Sequence, residues 1–419
     1  MIYTADWLLP VSSEPIEHGQ MLVRDGKIIA VGRNLDQQYL GEKVRKFSGC
    51  AILPGFVNSH THIEFTSFRG RFDGLPFFSW LCEMGTAGRL AALQDFELGS
   101  EMACKEIIAG GTTTICEIST KGISPNIIRQ SGLRAVVYYE ITALFRADED
   151  AERLVHKTFD SMSEHSDLVT FGISPHAIYT VAPPLLELSA KLAEERDIRL
   201  AIHVAESNIE LEFMQKRGEI ADFYKQMAFS WKAVNVSPVE YLRDRGILSP
   251  RTIAVHCVHV NAKDLDILAS TGTSVAHCPK SNAKLGHGIA PVREMLHREI
   301  PIGLGTDSAA SNDKLDMFEE MRAAVLFARE REHDPMALSA AEALKMATLD
   351  GATVLGLADK IGSLEPGKDA DFIAVDLKIP PTTGDPVSHI VFCCGTEHVR
   401  YVAIQGRSLI GGKIPPITA

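Results

Sequence analysis

The sequence has no apolar run of membrane-spanning length. Its longest stretches, such as 52–57 and 300–304, fall far short of the roughly 20 residues a membrane helix needs, so no membrane partner is expected. Positive charge is also in short supply: 42 Lys and Arg stand against 54 Asp and Glu, a formal charge of -12. Without a basic block to neutralise a run of phosphates, nucleic acid is not an expected partner. The eight cysteines, at positions 50, 82, 104, 116, 257, 278, 393 and 394, contain no Cys-x-x-Cys and no regular framework. In a chain of this length that reads as reduced, mostly buried thiols of a cytoplasmic protein. The opening MIYTADWLLP lacks the basic-then-apolar order of a secretory signal. Cys393 and Cys394, read as neighbours on a strand, would point to opposite faces, so no redox pair is expected. Two motifs are absent as well: the Gly-x-Ser-x-Gly of a serine hydrolase elbow and the Gly-x-x-x-x-Gly-Lys-[Ser/Thr] phosphate loop.

What the sequence does have is material for a large core, at 45% hydrophobic and 23% charged residues. Both ends are rich in strands and tight turns. Residues 20–24 and 27–31 flank Asp25-Gly26 as a two-residue hairpin, and 371–375, 399–405 and 408–410 repeat the pattern near the C-terminus. The two ends, 1–54 plus 366–419, are expected to form one small β-sandwich, since termini often lie close in space. Between them, 55–365 carries short apolar strands separated by helical stretches such as Pro183–Glu195 and Met317–Glu332. Eight strands are predicted, at 51–57, 112–118, 133–141, 168–174, 199–204, 252–256, 274–277 and 301–305. Eight such units predict a (β/α)8 TIM-like barrel rather than a doubly wound open sheet. Nearly every strand ends in a polar side chain: His60 and His62, Glu117, Glu140, His176, His203 and Glu206, His256, His277, Asp307. A barrel enzyme places its chemistry at that C-terminal rim.

His60-Thr61-His62 alternates on an extended segment, so both imidazoles can face one ion. His203 ends the fifth strand and Asp307 the eighth, and a closed barrel brings all four to one rim. Any one of them alone reads as a hydrogen-bonded structural residue. Together, three neutral imidazoles and a carboxylate suit one divalent metal ion per chain, Zn2+ or Fe2+, with a position left for water. Glu206, three residues beyond His203, could shuttle a proton beside that water; otherwise it is a helix N-terminal acid. His256 should face the same centre, while His259 reads as a supporting residue. The fourth strand ends in Ser174-Pro175-His176, without a lysine to bridge two metals, which favours a single ion.

The runs Pro54-Gly55-Phe56-Val57-Asn58-Ser59-His60-Thr61-His62, His203-x-x-Glu206, Ala254-Val255-His256-Cys257-Val258-His259, His277-Cys278-Pro279-Lys280-Ser281-Asn282 and Gly305-Thr306-Asp307 resemble the amidohydrolase superfamily. They are most similar to its one-metal aminohydrolase branch, which contains S-adenosylhomocysteine and methylthioadenosine deaminases, guanine deaminase, aminodeoxyfutalosine deaminase and the triazine hydrolases. The resemblance implies His60, His62, His203 and Asp307 as metal ligands, Glu206 as proton shuttle and His256 as a hydrogen-bonding partner of the ligand. With Asp307 and His256 orienting a hydroxide, it implies attack on an amidine carbon such as C6 of adenine, release of ammonia and a ring carbonyl.

Trp80 resembles the aromatic residue that packs on the heterocycle in adenosine-type deaminases; ordinary core packing is the alternative. His176 resembles a ribose-contacting residue of the same enzymes; a buried structural histidine is the alternative. Relatives that take S-adenosylhomocysteine use arginines near the third strand, where this chain has Tyr138-Tyr139-Glu140, although Arg134 and Arg146 flank it. Glu140 would repel a carboxylate tail but could accept hydrogen bonds from sugar hydroxyls or a base amine. His62-Ile63-Glu64-Phe65-Thr66, Tyr138-Tyr139-Glu140 and the run from Gly305 to Asn312 look most like the aminodeoxyfutalosine deaminases. The expected partner is a small aminated heterocycle or nucleoside, with a homodimer through the barrel helices also open. Other deaminase substrates, triazine-type displacement and a catalytically silent, metal-stabilised binding protein are the alternatives.

Overall fold

The computed structural model describes residues 1–142, 148–161, 166–227, 229, 232–377 and 384–410. Eight parallel strands run in chain order: Phe56–Thr61, Thr112–Ser119, Arg134–Ile141, Val169–Pro175, Leu200–Val204, Thr252–His256, Ser274–His277 and Ile302–Leu304. Each pairs with the next. A single parallel bridge, Thr61 to Asp307, brings the first and eighth together, which makes the expected barrel.

The side-chain alternation of these strands sorts the core into two layers. Val57, Cys116, Ile118, Val136, Tyr138, Ala201, Ile253, Val255 and Ala276 share the interior with Ala352 and Val354 of the short helix Leu349–Val354. Ile115, Val137, Ile202, Val204, Ala254 and Leu304 face outward under the helices. Both helices predicted in detail, Pro183–Glu195 and Met317–Glu332, have those bounds. The first opens on two prolines. The second is capped by Asp316, whose carboxylate accepts from Phe318 N and Glu319 N.

The barrel seam needs close approach of its two edge strands. A Cβ on Gly303 would lie 2.1 Å from Ser59 Oγ, and one on Gly305 would lie 2.9 Å from His60 Cβ. Only glycine fits there. Asn58 then clips the seam, its Nδ2 donating to Thr306 Oγ1 at 2.7 Å and its Oδ1 accepting from Thr306 N at 3.1 Å. Asp307 N donates to His60 O at 2.9 Å.

The chain ends form one eight-stranded mixed sheet centred on Val44–Pro54, which pairs parallel to Ile2–Leu8 and antiparallel to Phe372–Asp376. One face, with Tyr3, Met21, Phe47, Phe372 and Tyr401, forms its own core, with the Tyr3 and Phe372 rings 4.7 Å apart. The other face, with Leu53, Ile373, Val375 and Val402, joins the core beneath the barrel helices. The Asp25-Gly26 turn has φ of 49° and 78°, the left-handed pair that a two-residue hairpin requires.

Three expectations need correction. The run 51–57 is not one strand: 51–54 belong to the terminal sheet, and the barrel strand starts at Phe56 and carries through His60. Gly55 makes the passage, because a Cβ there would lie 2.2 Å from Thr113 Cγ2. Cys393 and Cys394 are not on a strand. Asp385 caps the helix Pro386–Cys393, which leaves Cys393 exposed at its end and Cys394 buried just beyond; no disulfide joins any of the eight cysteines among the described residues. Arg134 lies at the opposite end of the third strand from the rim. Its Nε donates to Asp371 Oδ2 at 2.8 Å and its Nη2 to Asp369 Oδ2 at 2.7 Å, all three side chains being buried. It is therefore a link between barrel and terminal segment rather than a substrate contact. Arg146 lies outside the described residues.

Arg134→Met should leave Asp371 buried without its cation and cost about 3–5 kcal/mol of stability, with the cavity at the other end of the barrel unaltered. Chemical denaturation checks this; a wild-type midpoint would mean that the pair contributes nothing. Among the described residues, no helix is long and apolar enough to cross a membrane.

Candidate active site

His60 and His62 reach the rim at the seam, with their Nε2 atoms 3.2 Å apart. Asp307 Oδ1 lies 3.4 Å from His60 Nε2 and 3.6 Å from His62 Nε2. The His203 ring centre is 5.0 Å from that of His60 and 5.6 Å from that of His256. Donor atoms of His60, His62 and Asp307 lie within 4.8 Å of one another, as do those of His60, His203 and His256. Strands one, five, six and eight thus bring five potential ligands to one point.

Neighbouring hydrogen bonds decide which atom of each side chain faces that point. His203 Nδ1 donates to His176 O at 2.8 Å, which leaves the Nε2 lone pair for the centre. His256 Nδ1 donates to Asn282 Oδ1 at 2.9 Å and likewise leaves Nε2 free of that bond. Asp307 Oδ2 accepts from Ser281 Oγ at 2.6 Å and Ser311 Oγ at 2.8 Å, so that Oδ1 faces the two histidines. The backbone bends sharply to achieve this. Ala205, His256, Cys257 and Asp307 have φ of 49°, 73°, 47° and 57°. Such left-handed non-glycine residues are held in place by their surroundings and cluster at functional sites.

Burial disfavours the charged imidazole and lowers the pKa of His60, of His62 to about 3, and of His203 well below the usual histidine range. Burial pushes Asp307 the other way, but the His60 hydrogen bond and the surrounding imidazoles overcome it and hold the carboxyl well below normal. Three neutral imidazoles and one carboxylate make a donor set that fits a divalent cation. The fit is supported by the crowding of His60 Nε2, His62 Nε2 and Asp307 Oδ1, all within 3.6 Å of one another in a buried site, and by His60 Nδ1, which is buried with no partner among the described residues.

Glu206 sits beside this set. Its Oε1 is 3.6 Å from His256 Nε2 and 3.3 Å from His287 Nε2. Burial raises its pKa, but His256 and His287 outweigh that, and the net shift is downward. Its N donates to Glu210 Oε2 at 3.0 Å, and burial pushes the Glu210 carboxyl up to about 8. His287 and Glu210 were not found from sequence. His287 stands in a loop between Gly286 and Gly288, and no spacing ties it to a strand end. His259 is half-buried and hydrogen-bonded to the His287 backbone. Glu117 does not reach the site: it accepts from Ile63 N at 2.9 Å behind the first strand.

A cavity of about 760 Å³ opens above the centre. His62, His203, Glu206, His256 and Asp307 line it, as do Trp80, Glu140 and His176, the three residues expected to meet a substrate. The helix Phe77–Leu90 supplies one aromatic wall. Trp80 stacks on Phe77 at 6.2 Å and 14°, and Phe77 meets His287 edge-on at 4.5 Å. Trp80 Nε1 is buried and has no acceptor among the described residues. Glu140 Oε2 accepts from Thr120 Oγ1 at 2.8 Å, and His176 Nδ1 is 2.8 Å from Thr180 Oγ1.

Behind Asp307, Asn312 Nδ2 donates to Thr306 O and to Glu320 Oε1, both at 2.6 Å. Burial pushes the Glu320 carboxyl up to about 8, whereas in the unfolded chain it ionises near ~4.3. The stability contributed by the neutral carboxyl is complete below the lower value and is lost as pH rises through the upper one. Melting temperatures of Glu320→Gln should therefore fall less between about pH 5 and 8 than those of the wild type. Parallel curves would show that Glu320 does not titrate in that window.

The chain belongs to the amidohydrolase family, which matches residues 51–409. The 5-methylthioadenosine/S-adenosylhomocysteine deaminase of Syntrophobacter fumaroxidans is 34% identical over 399 residues, covering 93% of this chain and 87% of that protein. The 5'-deoxyadenosine deaminase of Methanothermobacter thermautotrophicus is 33% identical over 404 residues, covering 94% and 90%. A solved adenosine deaminase from Xanthomonas campestris with bound zinc is 30% identical with a TM-score of 0.86, covering 100% of this chain and 94% of that one. The Helicobacter pylori aminofutalosine deaminase shares the fold, with a TM-score of 0.86 at 23% identity over 98% of this chain and 100% of its own.

Proposed function

We propose that this chain is a hydrolytic deaminase of adenine-type nucleosides that exchanges the ring amine for a carbonyl and releases ammonia. The observation that carries the reading is the position of Glu206, beside the His60, His62, His203 and Asp307 donor set, on a cavity that also holds an aromatic wall, Glu140 and His176. The four donors would hold one divalent ion, zinc in preference to iron, as in the zinc-bound adenosine deaminase. When bound, such an ion lowers the pKa of water from 15.7 to about 7 and supplies hydroxide at neutral pH.

The chain's own groups do the rest. Glu206 accepts the proton of the attacking water, delivers it to the ring nitrogen beside the amidine carbon, and then assists departure of the amine as ammonia. His256, held by Asn282, and Asp307, held by Ser281 and Ser311, fix the direction of attack. Trp80 offers a flat face to the base. Glu140 and His176 accept sugar hydroxyls.

Aminodeoxyfutalosine is the preferred substrate on the strength of Glu140 and the motifs around His62 and Asp307. S-adenosylhomocysteine or methylthioadenosine is the second reading, favoured by relatives of that name at 34% identity. Ammonia release by metal-quantified protein from these nucleosides, adenosine, guanine and an aminated triazine ranks them. Aminodeoxyfutalosine should lead. A lead for S-adenosylhomocysteine would replace the substrate, and no release from any would overturn the deaminase reading.

A further inference from the structure

Glu64 is a fully buried carboxylate that the chemistry above does not use. It lies two residues beyond His62, in the short 3-10 helix Ile63–Phe68, and faces the segment 119–124 that leaves the second barrel strand. Its Oε1 accepts from Ser119 Oγ at 2.7 Å and from Ile123 N and Ser124 N at 3.1 Å each. Its Oε2 accepts from Thr120 N at 2.9 Å and Lys121 N at 2.6 Å. Four backbone N–H groups around one anion form a nest, and two of them belong to the N-terminus of the helix Ser124–Ser131. Gly122, with φ of 76°, lets the segment curl around the carboxylate.

The filled nest has an effect at the cavity. Thr120 leaves the nest with its N–H bonded to Glu64 and its Oγ1 donating to Glu140 Oε2. Thr120, Lys121 and Glu140 all line the cavity wall. One oxygen of Glu140 is thereby engaged, and the other has no partner among the described residues. Without Glu64, four N–H groups would lose their shared acceptor; Ser124 is buried and Thr120 and Ile123 are half-buried, so the segment would shift to find other partners.

We infer that Glu64 is a positioning residue for substrate recognition: by filling the nest it fixes Thr120, and through Thr120 it aims Glu140 at a vicinal diol of the ligand. The diol rests on the nucleoside reading; the nest does not. The sugar hydroxyls donate to a carboxylate whose remaining freedom has been removed, so the arrangement selects ribonucleosides over ligands without the diol.

The test compares Glu64→Gln and Thr120→Val with wild type, in metal-quantified full-length protein. Amide hydrogen exchange is followed across 119–124, and KM and kcat are measured for adenosine and 2',3'-dideoxyadenosine. In Glu64→Gln, exchange across the segment should accelerate with metal content unchanged. KM for adenosine should rise about tenfold while kcat stays within about threefold, the size expected for one charge-assisted hydrogen bond. KM for the dideoxy compound should not move. Thr120→Val should show the same split in KM with unaltered exchange, and it carries the test should the glutamine variant not accumulate. Equal losses on both compounds, or unchanged exchange in Glu64→Gln, would overturn the inference. If the wild type releases no ammonia from any nucleoside, the deaminase reading falls, and the exchange comparison still decides whether Glu64 holds the segment.

Discussion

Glu206→Gln should bind metal like the wild type and release ammonia about 10²- to 10⁴-fold more slowly, the range a positioned proton-transfer group supplies. The substitution keeps the size of the side chain and removes its basicity. It touches no atom of the proposed ligand set: Oε1 faces His256 and His287, and the backbone N–H to Glu210 is independent of the side chain. The downward shift of the Glu206 carboxyl in its buried site means that it enters the reaction ionised, ready to accept a proton. Parallel measurements of metal content and turnover check this. Near-normal turnover in a metal-replete variant would remove Glu206 from the mechanism and reassign the proton to His256 or His287.

Chelation should abolish turnover, and adding back zinc or ferrous ion should restore it. The expected loss is at least as large as that of Glu206→Gln, because without an ion water keeps its ordinary pKa. The same treatment should lower the melting temperature. An ion held at about a thousand times its dissociation constant contributes roughly 4 kcal/mol to the folded state. His203→Ala, which leaves both seam histidines in place, should weaken metal retention. Full turnover in protein with no detectable metal would discard the hydrolytic centre as proposed.

Much of this was readable from sequence, because barrel strands are short apolar runs and the residues that end them stand out as polar. His60, His62, His203, Glu206, His256 and Asp307 meet in the structure for that reason. The misreadings share a physical cause. Alternation says which face a residue takes but not which end of the barrel it serves, so Arg134, on the same face of the strand as Glu140, stayed open as a second ligand contact. Arg134 is claimed by Asp369 and Asp371 from a segment more than 230 positions away, a pairing no local pattern displays. Loop residues were the hardest. His287 lies in an irregular loop and Glu64 in a six-residue 3-10 helix, where position depends on contacts with distant segments and not on a repeat. The passage of the chain through Gly55 from one sheet to the other was hidden because apolar strands on both sides read as one run.

The barrel seam has a consequence for assembly. Three of the four residues proposed to share an ion stand on the first and last barrel strands: His60 and His62 on one edge, Asp307 on the other, with 246 positions between Thr61 and its bridge partner. Loop closure over such a distance is entropically unfavourable and slow. An ion arriving before closure would lack the carboxylate, which joins the imidazoles only when the ring shuts. Metal uptake should therefore report the moment of ring closure, and an ion seated there would act as the clasp of the barrel as well as the proposed centre of its chemistry.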